Sequence, residues 1–96
     1  MSADNGIYIA EFEDGYRAIY ASAIDNIDYY KIGTTRWKRQ LDLYFGHAVV
    51  FETEPEALVH AKMLYKKAGY TEYGICFLGF FKYKPKRNPR VQPFFG

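Results

Sequence analysis

The chain has 96 residues, of which 49% are hydrophobic and 25% charged, and its net charge is +2. That length allows one domain with one core, burying roughly 60–65% of the unfolded surface, and that composition excludes a disordered chain. Cys76 is the only cysteine, so an intramolecular disulfide is excluded and a reducing cytosol is the expected compartment.

Taken in chain order, residues 6–13 have strong β propensity, and residues 16–24 follow across Asp14 and Gly15. Asp-Gly between two such runs predicts a hairpin with a type I′ turn, placing Phe12 opposite Arg17, Ala10 opposite Ile19 and Tyr8 opposite Ala21. Residues 25–35 read either as a short strand or as an irregular loop. Thr35 is placed to cap a short helix over residues 36–44, where Trp37, Leu41 and Tyr44 make one apolar stripe, and Gly46 is placed to end it in the left-handed manner. Residues 47–51 predict a third strand.

The next segment carries the clearest helix signature. Thr53-Glu54-Pro55-Glu56 has capping-box spacing with proline in the first turn. Ala57, Leu58, Ala61, Leu64, Tyr65 and Ala68 then recur on one helical face, Lys66 and Lys67 suit the C-terminal dipole, and Gly69 stops the helix. Residues 73–81 are apolar on both faces and predict a fourth, central strand. The expected fold is α+β: a four-stranded mixed sheet with the 54–68 helix on one face and the short 36–44 helix beside it. Residues 1–81 form the domain, and residues 82–96, broken by Pro85, Pro89 and Pro93, form a basic tail.

Charge and aromatic content give the functional leads. Residues 1–30 hold six acids against Arg17 alone, whereas residues 82–96 hold Lys82, Lys84, Lys86, Arg87 and Arg90 and no acid. Such an asymmetry steers a partner or draws the two ends together. Ten Tyr, eight Phe and one Trp suit both a sheet core and a recognition surface. The first residues show no signal-peptide pattern, and no apolar run approaches the roughly 18 residues of a membrane span, so a soluble chain without membrane attachment is expected.

Several stretches resemble a group of small proteins encoded in tailed-phage and prophage genomes. They are Ser2-Ala3-Asp4-Asn5-Gly6-Ile7-Tyr8-Ile9, Asp14-Gly15-Tyr16-Arg17, Ala23-Ile24-Asp25-Asn26-Ile27, Tyr44-Phe45-Gly46, Val50-Phe51 with Thr53 and Glu56-Ala57-Leu58, and Glu72-Tyr73-Gly74-Ile75. The resemblance implies a phage accessory protein acting in the bacterial cytoplasm. It carries over no activity and no functional residue, and the Lys31 to Arg39 segment and basic tail depart from the group pattern.

Three functional readings follow. The leading one is a non-enzymatic protein that binds a host macromolecule, chiefly a protein of a host process or defence system. It would use an uncovered aromatic sheet face, with Tyr8, Phe12 and Arg17, and be steered by the tail. Homodimerisation through that face, or a second helix covering it, is the plainer alternative. The second reading is nucleic-acid binding by Lys31, Arg36, Trp37, Lys38 and Arg39 together with Lys84, Lys86, Arg87 and Arg90, interleaved with Tyr83, Phe94 and Phe95, cations on phosphates and aromatic rings on bases. Its plainer alternative is a solvated helix face.

The third is a GIY-YIG-like, Mg²⁺-dependent nuclease. Ala18-Ile19-Tyr20 precedes Tyr30-Lys31-Ile32-Gly33 at about that motif's spacing. Tyr20, Tyr30, Arg39 and Glu56 would then activate water, hold phosphate and hold the metal, with Arg36 and Glu54 as substitutes. Ala18 replaces the motif's first glycine, and Glu56 already has a role as a helix cap. His47, His60 and Cys76 lack metal-ligand spacing, no glycine-rich phosphate loop is present, and no cofactor is expected.

Overall fold

The computed structural model describes residues 5–22, 31–69 and 74–86. Strands β1 (Asn5–Phe12) and β2 (Gly15–Ser22) form the predicted hairpin. Its register differs from expectation: Phe12 faces Gly15, Ala10 faces Arg17 and Tyr8 faces Ile19. The turn is Glu13 and Asp14, and Gly15 opens β2. A Cβ at Gly15 would stand 2.5 Å from the Phe51 carbonyl oxygen and 2.7 Å from Val50 Cγ1, at a φ of +139°. Glycine is therefore needed both for the close backbone approach and for the positive φ where the chain leaves the turn. The slip is two residues, so every side chain keeps its predicted face.

The sheet has three strands, ordered β2-β1-β3, where the sequence predicted four. Strand β3 (Ile75–Phe80) lies parallel to β1, pairing Ile7 with Ile75 and Ile9 with Phe77. The missing strand is residues 47–51. Helix α1 (Thr35–Phe45) runs to Phe45, its last turn takes up Gly46 to Ala48, and Thr53 is committed to capping helix α2 (Glu54–Lys67). Too little chain remains for a ladder, and Phe51 makes a single antiparallel bridge with Tyr16, through N–H to carbonyl bonds of 2.7 and 2.8 Å. Strand β3 is also not central. That place belongs to β1, whose Ile7, Tyr8, Ile9, Ala10 and Phe12 are all buried.

Both faces of β1 are covered within the chain, so the expected open aromatic face is absent there. On one side Ile7 and Ile9 join Ala18 of β2 and Ala57 and Ala61 of α2. On the other, Tyr8, Ala10 and Phe12 join Trp37, Leu41 and Phe45 of α1. The capping box of α2 forms as predicted: Glu56 N–H donates to Thr53 Oγ1 and Thr53 N–H donates to Glu56 Oε1 at 3.2 Å. Thr34, not Thr35, caps α1, accepting from Trp37 N–H at 3.3 Å. Ala68, expected on the inner face of α2, is exposed.

Among the described residues, seven aromatic rings gather on the α1 side. Phe12 packs on Phe45 at 5.0 Å between ring centroids and on Phe81 at 5.5 Å, while Trp37 meets Tyr83 at 5.6 Å. Such pairs contribute about 0.5–1.5 kcal/mol each beyond their buried area. At the opposite edge, Phe77 and Phe80 of β3 remain 53% and 57% exposed, and the strand bulges at Leu78 between the Ile9 and Ala10 pairings. Among the described residues, no helix is long and apolar enough to cross a membrane.

Candidate functional site

After β3 the chain does not leave the domain at once. Phe81 N–H donates to the Glu11 carbonyl at 2.8 Å, and Glu13 N–H donates to the Tyr83 carbonyl at 3.1 Å. The segment then crosses to α1. There the Tyr83 hydroxyl donates to Asp42 Oδ1 at 2.9 Å, and the Lys86 backbone N–H donates to the same oxygen at 2.8 Å. Burial and the Asp42 carboxylate push the Tyr83 phenol up to about 12, because both disfavour a phenolate. Pro85 is buried, and Gly46 has no Cβ to obstruct the Lys86 carbonyl, which such an atom would meet at 2.6 Å.

This docking joins two basic stretches that lie far apart in sequence. Thr35, Lys38, Arg39 and Asp42 recur along one side of α1 and, with Tyr83 and Lys86, line a cleft of about 370 Å³. A second cleft, about 460 Å³, is lined by Asp14, Arg17, Val50, Lys84, Pro85 and Lys86. Lys86 lines both, so the two clefts flank one residue and are together called the basic groove. Five cationic side chains line it against two carboxylates. Both carboxylates are engaged: Asp42 as described, and Asp14 with the Arg17 guanidinium at 2.8 and 3.1 Å. Each therefore serves to hold the groove's wall in place.

Arg17 is the floor of this arrangement. It is 2% exposed, its guanidinium carbon lies 5.0 Å from the Phe12 ring centroid, and its Nε has no hydrogen-bond partner among the described residues. The Asp14 pair and the ring offset part of the cost of burying that charge. Lys38, Arg39, Lys84 and Lys86 are exposed.

A third cleft, of about 290 Å³, lies on the outer side of β2. Ala18, Ile19, Tyr20, Tyr44, His47, Ala48, Val49, His60 and Leu64 line it. The chain's two histidines, on separate elements, thus share one concavity. His60 tilts against Phe51 at 5.2 Å, and burial lowers its pKa from the ordinary histidine value.

The residues singled out from sequence therefore divide. Tyr8, Phe12, Arg17 and Trp37 are interior. Lys38, Arg39, Lys84 and Lys86 come together in the groove, while Lys31 and Arg36 are exposed outside its lining. Of the nuclease set, Tyr20 lies in the histidine cleft, Arg39 in the basic groove and Glu56 in the α2 cap. Tyr30, Arg87 and Arg90 lie outside the described residues, as does most of the 25–35 segment. Sequence reasoning missed Asp42, and it read Gly46 only as a helix end and Tyr83 only as an aromatic of the tail. The one available signal was an acid on the helix side that carries Lys38 and Arg39. No family model, curated protein or solved structure matches the chain.

Proposed function

We propose that this is a non-enzymatic nucleic-acid-binding protein, a phage accessory protein of the bacterial cytoplasm whose basic groove takes the phosphate backbone. One observation carries the reading: Lys38 and Arg39 of α1 line a cleft with Lys86 of the segment after β3, and Lys86 lines the neighbouring cleft with Lys84. Clustered exposed cations neutralise successive phosphates and release counterions, a gain that scattered charges do not give. The overall pI of about 8.6 understates this, because the acids of the chain's first third offset it. The phage resemblance supports the setting and says nothing of the ligand. An aromatic sheet face as the anchor for a host protein has lost its support, since α1 covers Tyr8 and Phe12.

Fluorescence anisotropy with labelled oligonucleotides at increasing KCl tests the reading. Four exposed cations give a log–log salt slope of roughly −3. Replacing Lys84 and Lys86 by Gln makes it shallower by about 1.4 units for single strands at 0.7 per contact. If no oligonucleotide binds even at low salt, the groove serves another acidic partner, and an acidic host protein becomes the better reading.

A further inference from the structure

The cleft beside β2 contains no lysine, arginine or carboxylate; two phenols, two imidazoles and aliphatic side chains line it. Phosphate has no counter-charge there. A flat, neutral group that offers a π face and hydrogen-bonding edges fits that lining, and a neutral imidazole supplies one donor and one acceptor. Tyr20 is 48% exposed, whereas Phe12 and Trp37 of the α1 side are buried. Among the described residues, Tyr20, Phe77 and Phe80 are the aromatic rings most offered to solvent, and Tyr20 alone of these lies in a cleft.

The cleft also adjoins the basic groove at two points in the chain. Arg17 lines the groove and Ala18 the cleft, and likewise Val50 lines the groove and Val49 the cleft. The cleft takes side chains from both faces of β2, Ile19 on the α1 side and Ala18 on the α2 side, so it sits across the β2 edge of the sheet, next to the groove. A backbone held on Lys84 and Lys86 can turn a base over that edge, but only if the base is free of a duplex.

Resting on the nucleic-acid reading above, we infer that the ligand is single-stranded and that the cleft of Tyr20, Tyr44, His47 and His60 receives one unstacked base. The groove supplies charge and the cleft supplies stacking. The two contributions have different experimental signatures, since stacking is insensitive to salt and phosphate neutralisation is not.

The test uses the full chain, a fluorescein-labelled dodecathymidylate and a labelled 12-base-pair duplex, by anisotropy at several KCl concentrations. The single strand is expected to bind at least tenfold more tightly than the duplex. Tyr20→Ala weakens single-strand binding by about 5- to 100-fold, the range that stacking on one aromatic ring gives. Its salt slope and its duplex affinity stay unchanged, and Tyr20→Phe retains most of the affinity. Circular dichroism checks the fold of each variant, and His47→Ala gives a second probe of the cleft from outside the sheet.

Equal single-strand and duplex affinities, or a Tyr20→Ala variant that binds like the parent, overturn the base-receiving cleft and leave the groove reading standing. A slope that changes by a full unit in Tyr20→Ala also overturns it, because the residue then acts through charge placement. Failure of both oligonucleotides to bind at low salt overturns both readings together.

Discussion

Asp42 Oδ1 accepts the hydroxyl proton of Tyr83 at 2.9 Å, across 41 positions of chain. With the Lys86 N–H on the same oxygen, that carboxylate fastens the segment after β3 to α1 and so assembles the groove from two remote pieces. Asp42→Ala is expected to cost about 2 kcal/mol in urea unfolding, as for lost hydrogen bonds to a charged acceptor. Asp42→Asn keeps an oxygen acceptor and loses less. Oligonucleotide affinity falls in Asp42→Ala even though a negative charge has gone, because Lys84 and Lys86 lose their fixed position.

The same bond has an alkaline signature. Tyr83 has its pKa raised to about 12 from the ordinary value of 10.0. Its contribution to stability is fully present below pH 10.0 and is lost as pH rises through about 12. Ultraviolet titration of tyrosinate should show a late-ionising phenol that disappears in Tyr83→Phe. The stability difference between parent and variant should shrink over that interval.

Gly46 gives a prediction of opposite sign to helix propensity. Its φ of −62° is helical, so replacement by alanine would ordinarily stabilise the end of α1. Here a Cβ would stand 2.6 Å from the Lys86 carbonyl oxygen, a backbone atom with little freedom to yield. Gly46→Ala is expected to destabilise by about 1–3 kcal/mol, the usual cost of overpacking, measured by urea unfolding.

His60 predicts acid sensitivity. Burial lowers its pKa below 6.5, so at mildly acid pH the unfolded chain binds more protons than the folded one. Stability contributed by the neutral imidazole is present above pH 6.5 and is lost as pH falls through the folded value. His60→Phe, which keeps a ring against Phe51, should give a urea midpoint that declines less between pH 7.5 and 5.0 than the parent's. An equal decline in both proteins would refute this.

The Arg17 pair is expected to behave as a unit. Asp14→Ala leaves a buried guanidinium without its carboxylate and should cost about 3 kcal/mol, the lower end for a broken buried pair since Asp14 is partly exposed. In an Arg17→Met background the same change should cost much less. A double-mutant cycle by urea unfolding should return a coupling energy of about 1–3 kcal/mol, and strict additivity would contradict the pair.

The elements fixed by local chemistry were legible in the sequence, and those fixed by remote contacts were not. Thr53 and Glu56 announce α2 because the capping box closes within one turn of chain. The Trp37 and Leu41 stripe announces α1 for a similar reason. Gly15 misled on register because a glycine after aspartate reads as a central turn residue, while here it opens β2 and is also required by Phe51 crossing above it. The apolar residues 73–81 read as a central strand because apolarity records contact but not position; half of that surface is left at an edge. Tyr83 could not be paired with Asp42 from sequence, since no periodicity links a helix carboxylate to a phenol on another segment. The groove's cations were visible singly, and only the fold made them neighbours.

The parallel pairing of Ile7 with Ile75 also has a consequence for synthesis. The middle strand is made first, yet one of its two flanks arrives only after both helices have been translated. Until then the nascent hairpin carries a bare backbone margin and an apolar surface. Long-range closure of this kind slows folding and favours mispairing at high expression levels. Chaperone supply, or a lower concentration of the unfolded chain, should therefore raise the yield of native protein.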